Sequence, residues 1–554
     1  MASLFLGDLD DFISPSQACI NPAFASEDEK VSEEKGSKIT LSIMDETFEE
    51  GDAMNVEEEA LPALIQTKPS STGQNKKATV SLNDCLACSG CVTSAETVLL
   101  QQQSSEKFKQ TIESKIWSHK VLTLSSQSIA ALSQYFGVSF SDMQQVLTQF
   151  LKLEFEIDQV FDTLPFAEFA LLEAAEEFLH RAQQACQPSQ GGWVKPPCSR
   201  AESSARTVFD DPNQAAADPI PYEYIPMLIS ECPGWVCYAE KTTPEALPYI
   251  SSTKSAQQMA GSLLKTLAAN QINCDPRTVL HTTVMPCYDK KLEASRRDFF
   301  VQHEGLPEGY QEVDLVLSTG ELLGLIEEKA VAANVEGGVE GYLNTLASQP
   351  KPTSQRVPLL PAFYREGDDG QPPMAGFASH GTSGGYLDYI ARVSAKRLLG
   401  VELTDPLQYQ QGRNPDFQEL IVEVEGKPPL CFAKAYGFRN IQTIINKMKR
   451  GKSPYHLVEI MACPSGCLNG GGQPKPINSE NETPLERRER LDQLDQAYHS
   501  SIVYRAPEDN AAVADFYKEY LGGKPFSEEA KRLLHTRYHA VPKLESLNPT
   551  VTSW

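Results

Sequence analysis

At 554 residues the chain is too long for one ordinary compact domain, and its 41% hydrophobic content supplies apolar surface for at least one large core. Lys and Arg number 49 against 74 Asp and Glu, and the resulting net charge of -25 repels a phosphate backbone, so nucleic acid is not expected as a direct partner. No apolar run approaches bilayer-spanning length, and the N-terminus is acidic rather than basic, so the expected setting is cytosolic or nuclear, where thirteen cysteines serve as metal ligands or free thiols rather than disulfides.

Residues 1–25 form a short N-terminal segment that carries Cys19-Ile20-Asn21-Pro22. Residues 26–80 are rich in Glu, Asp, Ser and Lys with few large apolar side chains, a composition that cannot offset its own ordering entropy, and are expected to be an acidic flexible linker. The main body is expected over 81–480. It opens on Cys85-Leu86-Ala87-Cys88-Ser89-Gly90-Cys91, three thiols at three-residue spacing separated by small residues, which suits a loop wrapped around an iron-sulfur cubane. Zinc is the lesser reading, because zinc sites usually add a second, distant Cys pair. The next cysteine, Cys186, lies in an expected insertion, so the fourth ligand must come from elsewhere. Cys19 is the best candidate, the alternative being a free thiol beside a three-cysteine site.

Further along, apolar runs at 224–229, 278–284, 313–317 and 456–461 alternate with helical patterns at 166–182, 256–269 and 441–449, which predicts an α/β body. Stretches rich in Pro, Gly and Ser near 183–219 and 334–375 are expected to be surface insertions. Residues 481–546 read as a small helical unit, and 547–554 as a C-terminal tail.

Three loops, each directly after a predicted strand, carry a second set of cysteines: Glu231-Cys232-Pro233-Gly234-Trp235, Pro286-Cys287-Tyr288-Asp289-Lys290-Lys291, and Cys463-Pro464-Ser465-Gly466-Cys467 followed by Gly470-Gly471-Gly472. Sites in α/β proteins form outside the carboxyl ends of strands, so Cys232, Cys287, Cys463 and Cys467 can converge into one four-thiolate shell. The glycine run would admit close backbone approach to something bulky. Lys290 and Lys291 would offset the cluster's charge, although such a pair is most often a solvated surface. Buried structural cysteines would account for any one of these four, but not for the set. Cys186, Cys198, Cys237, Cys274 and Cys431 match no motif and are expected to be structural or free.

These three segments resemble the cluster-binding motifs of the iron-only hydrogenases, and Lys254-Ser255-Ala256-Gln257-Gln258-Met259 resembles a further run lining their active site. Tyr520-Leu521-Gly522-Gly523-Lys524-Pro525 and Leu533-Leu534-His535-Thr536-Arg537-Tyr538 are similar to their small-subunit region. Leu6-Gly7-Asp8-Leu9-Asp10-Asp11-Phe12-Ile13 with Cys19 resembles the start of the cytosolic assembly-factor branch, also known as the nuclear prelamin A recognition factor-like (NARF) family. In addition, Glu231 stands where the hydrogenases carry a proton-relaying cysteine. The resemblance implies a hydrogenase-like α/β body with two [4Fe-4S] clusters, one on Cys19, Cys85, Cys88 and Cys91 and one on Cys232, Cys287, Cys463 and Cys467. It further implies a non-catalytic role in iron-sulfur cluster assembly, between P-loop scaffold ATPases and the late targeting complex. A hydrogenase-type redox enzyme is the alternative. The terminal Val551-Thr552-Ser553-Trp554 places an aromatic anchor beside the chain's carboxylate, a combination suited to peptide capture. It resembles tails that engage the WD-repeat propeller of that targeting complex, with Thr552 where an aliphatic residue is usual.

Overall fold

The computed structural model describes residues 103–541 apart from 115, 186–223, 270–271, 303–308, 351–355, 361–362, 364–380, 404–405, 413, 476–481 and 503–504. The N-terminal segment with Cys19, the linker, the Cys85, Cys88 and Cys91 loop, Cys186, Cys198 and the tail with Trp554 therefore lie outside the described residues.

Helix α1 (Ser105–Ile112) precedes β1 (His119–Leu124), α2 (Ser126–Phe136), α3 (Phe140–Phe155), β2 (Gln159–Asp162) and the long α4 (Leu164–Ala185). Next come β3 (Met227–Ile229), α5 (Pro233–Thr242), α6 (Ala256–Gly261), which continues as a π-helix through Ala268, β4 (Val279–Met285) and α7 (Asp289–Ala294). A two-stranded ribbon of β5 (Phe300–Val301) and β6 (Tyr310–Gln311) leads to β7 (Leu315–Ser318), α8 (Thr319–Ala333), α9 (Gly338–Ser348) and α10 (Tyr386–Ser394). The remainder comprises β8 (Gln410–Gln411), β9 (Phe417–Val422), β10 (Leu430–Tyr436), α11 (Phe438–Lys449), β11 (Leu457–Met461), α12 (Pro484–Ser501), α13 (Ala511–Tyr520) and α14 (Glu528–Leu534).

These strands build two main sheets. One is parallel, in the order β2-β1-β4-β7; the other runs β3-β11-β10-β9-β8, with β3, β11 and β10 parallel and β9 and β8 antiparallel. Strands β1, β4 and β11 are buried along their whole length, as expected for parallel strands covered on both faces. One apolar core joins the two sheets: Val121 and Val279 of the first and Met227, Phe432 and Leu457 of the second share it with Phe169 and Phe178 of α4. Helix ends obey local rules. Ser318 and Glu321 form a capping box at α8, and Thr483 with Glu486 does the same at α12.

The C-terminal helices are built into this core rather than appended to it. Val513, Phe516, Tyr517 and Leu534 pack with α4, and the buried carboxylate of Glu173 accepts hydrogen bonds from Tyr517 Oη at 2.6 Å and Phe526 N at 2.9 Å, with His535 Nε2 at 2.8 Å. Part of the expected surface insertion near 334–375 also differs from expectation. There α9 buries Tyr342, Leu343 and Leu346 in the core beneath α3 and α8.

Candidate metal centre

Each of the three cysteine loops begins where a strand ends, but the strands belong to different sheets. Cys232 follows β3 and Cys463 and Cys467 follow β11 in the five-stranded sheet, whereas Cys287 follows β4 in the four-stranded one. The four thiols line one cavity at the junction of the two sheets, together with Glu231, Gln257, Asp289, Lys290 and Gly470. Beyond the cysteines the cavity is walled by Gln127 of α2, Glu168 of α4 and Tyr498 and Ile502 of α12 and its C-terminal end.

Backbone hydrogen bonds fix the loops. Cys232 is the N-cap residue of α5, with Pro233 at the first helical position, and its N–H donates to Ser230 Oγ at 3.0 Å. Ser230 in turn donates to the carbonyl of Ile460 on the neighbouring strand, so the Cys232 loop is pinned to the strand that delivers Cys463. The N–H of Cys467 donates to Ser383 Oγ at 2.8 Å. Gly466, at φ +76°, is the residue that turns the chain there, and a Cβ on it would collide with Ser383 Oγ. Gly470, which lines the cavity, and Gly472 also allow two loops to approach each other. A Cβ on Gly470 would strike the carbonyl of Pro286, and Gly472 N donates to that same carbonyl at 2.9 Å, so these glycines let the Cys463–Cys467 loop lie against the Cys287 loop.

Burial favours the protonated form of all four thiols. Burial pushes Cys232 up to about 11, with Asp289 adding to the shift, and pushes Cys467 up to about 12 against the opposing hydrogen bond from Ser383. Cys287 and Cys463 rise as well, through burial and then through neighbouring negative charge, which for Cys463 comes first from Cys232 and Cys287. The four thiols thus sense one another, and a bound cation that deprotonates them removes this cost. Among the described residues no group of three or more His, Cys, Asp or Glu side chains is arranged to hold a single metal ion. The four thiols instead line the wall of one cavity, the donor set that a cluster with one thiolate per iron would require.

Lys290 and Lys291 are 3% and 2% exposed, which rules out a solvated pair. Lys290 Nζ lies 3.1 Å from both Glu231 and Glu293, and Lys291 Nζ lies 2.7 Å from Glu321. Lys290 also lowers the thiol pKa values of Cys232, Cys287 and Cys467. Glu231 is fully engaged: it accepts from Ala256 N at 3.2 Å, Lys290 Nζ and Tyr386 Oη at 2.7 Å. The run from Lys254 to Met259 does line the site, through Ala256 and Gln257; Gln257 bridges the Lys290 carbonyl at 3.1 Å and Glu293 at 2.9 Å. The unmatched cysteines lie elsewhere. Cys274 Sγ is 3.0 Å from Ser118 Oγ, and neither it, Cys237 nor Cys431 lines the cavity. Ser383, Tyr386 and Tyr498 were not foreseen; only the Gly381-Thr382-Ser383-Gly384-Gly385 turn offered a signal.

The family described as "Iron only hydrogenase large subunit, C-terminal domain" matches residues 214–471, and "Iron hydrogenase small subunit" matches 481–541. The chain is 41% identical to "Cytosolic iron-sulfur assembly component 3" of Rattus norvegicus, over 99% of both chains. It is 36% identical to "Protein NAR1" of Arabidopsis thaliana, covering 100% of this chain and 98% of that protein. Among solved structures, an apo [FeFe]-hydrogenase from Chlamydomonas reinhardtii superposes with a TM-score of 0.56 at 23% identity, covering 79% of this chain and 99% of that one. This last likeness establishes the fold.

Proposed function

Because this chain belongs to the cytosolic iron-sulfur assembly component 3 family and carries both iron-only hydrogenase domains, we propose that it is a non-catalytic iron-sulfur cluster assembly factor of the cytosol. In this reading it holds two [4Fe-4S] clusters, with Cys232, Cys287, Cys463 and Cys467 as the shell of the buried one. Cys19, Cys85, Cys88 and Cys91 serve the other. The observation that carries the reading is the convergence of four thiols from both sheets on one cavity, in a chain similar along its whole length to proteins named for cluster assembly.

The cluster itself supplies iron and sulfide. What the protein supplies is four thiolates on loops braced by Ser230, Ser383 and Pro286, and a buried ammonium at Lys290 to compensate negative charge. Catalysis of the hydrogenase type is the weaker alternative. It calls for a proton carrier beside Cys232, and Glu231 at that position is held by three donors.

The role we assign within assembly is a link: clusters pass from P-loop scaffold ATPases toward cytosolic and nuclear apoproteins by way of the late targeting complex, whose WD-repeat propeller receives the tail ending in Trp554. The experiment is a pull-down of anaerobically prepared full-length protein with the purified targeting complex and, separately, the scaffold ATPases, with iron measured in the bound fraction. Co-retention of both partners with iron in place supports the link; failure to bind either removes it.

A further inference from the structure

The excess of acid over base is unevenly distributed. From Gly426 to Val458 the sequence has seven Lys or Arg and no Asp or Glu, in a chain whose net charge is -25. Helix α11 lies within this stretch. Its apolar stripe of Ile441, Ile444, Ile445 and Met448 is buried against the five-stranded sheet, while Arg439, Lys449, Arg450 and Lys452 are exposed. Lys449 pairs with Glu245, and Lys447 lies over the rings of Phe417 and Tyr455. Arg439, Arg450 and Lys452 have no carboxylate partner among the described residues. The helix dipole accounts for cations in the last turn, at Lys447 and Lys449, but it opposes one in the first turn, where Arg439 stands. The basic face is therefore larger than helix stability calls for.

We propose that this exposed face of α11 is the docking site of the chain's own acidic segment, Asp45–Glu59. That segment holds eight Asp or Glu and no Lys or Arg, the charge complement of the face. Residues 60–102 separate it from Gln103, and a chain of that length spans up to about 140 Å when extended. A folded body of about 440 residues has a radius of gyration of only about 22 Å, so every face lies within reach. Because face and segment belong to one chain, their association is intramolecular and needs less binding free energy than that of separate molecules. Docking of Asp45–Glu59 restrains the sequence between Cys19 and Cys85, whether or not those cysteines share a cluster.

The test is zero-length carbodiimide coupling of dilute full-length protein, prepared as a mixture of unlabelled and nitrogen-15-labelled chains, with mass-spectrometric mapping. The expected products join Lys447, Lys449 or Lys452 to carboxylates of Asp45–Glu59 within one isotopic chain. Their yield should fall about fivefold in about 0.5 M salt, where the screening length shrinks to a few ångströms. It should also fall at least about twofold in the R439Q/R450Q variant, which removes charge from the face but keeps every coupling lysine. The proposal is overturned if these lysines couple only to other carboxylates. It is equally overturned if the products are mixed-isotope, which would make the occupant a second copy, or if neither salt nor R439Q/R450Q changes the yield.

Discussion

Lys290 Nζ, on the helix after Cys287, lies 3.1 Å from Glu231 Oε1, on the residue before Cys232. The two loops leave different sheets, so this ion pair is a brace across the cavity that the four thiols line. Its side chains are 4% and 12% exposed, so neither charge has water to fall back on if the other is removed. Lys290→Met should destabilise the metal-free protein by about 3 kcal/mol, because Glu231 and Glu293 are then left buried without their cation. Urea denaturation of the variant checks this; an unchanged midpoint would show that the brace carries no stability.

The glycines of the third loop make a second prediction. Gly470→Ala sets a Cβ against the Pro286 carbonyl and should separate the Cys467 and Cys287 loops, lowering iron retained after reconstitution by about half, the share of one of two equal clusters. Gly324→Ala is the control, since its helical position in α8 is open, and there the substitution should stabilise by about 0.5–1 kcal/mol. Iron per chain and thermal midpoints measured on both variants decide it.

His281 makes a pH prediction far from the thiols. Burial holds its imidazole down to about 4, with Nε2 3.0 Å from Thr123 Oγ1 and Nδ1 3.1 Å from the Glu312 carbonyl. Between about pH 6.5 and 4 the unfolded chain binds a proton here that the native one does not, so stability falls as pH is lowered through that window and is insensitive to it above. Going from pH 7.5 to 5 should cost wild type about 2 kcal/mol more than His281→Gln, which cannot titrate. Parallel urea titrations at the two pH values read this difference; equal losses would remove the assignment.

The tail gives a prediction outside the described residues. Deleting Trp554 should weaken binding to the WD-repeat propeller by about 2 kcal/mol, the loss of an aromatic anchor, with iron content constant. A titration of full-length and truncated chains against the purified complex reads it. Equal affinities would eliminate the docking role.

The strands ahead of Cys232, Cys287 and Cys463 were legible because buried parallel strands are short, uninterrupted apolar runs, and the cysteines because ligand chemistry imposes close spacing and Gly or Pro neighbours. The division of those strands between two sheets was not legible, since strand pairing over more than a hundred residues leaves no local mark. The carboxylates that bury Lys290 and Lys291 were not legible for the same reason: Glu231 and Glu321 lie 59 and 30 residues away. Ser383 sits 84 residues from the Cys467 amide it receives, so the sequence carries no local mark of that pairing. Helix α9 hid in a Gly-rich stretch, because its apolar face is short: Tyr342, Leu343 and Leu346, with Val339 at its edge.

The proposed pair of [4Fe-4S] clusters, one on each four-cysteine set, is tested most directly by iron analysis with electron paramagnetic resonance on anaerobically reconstituted, reduced wild type, Cys88→Ala and Cys463→Ala. Wild type should carry about eight irons and Cys88→Ala about half, with a remaining signal that is the one to disappear in Cys463→Ala. Zinc in place of iron, or iron and spectra unchanged in both variants, would contradict it.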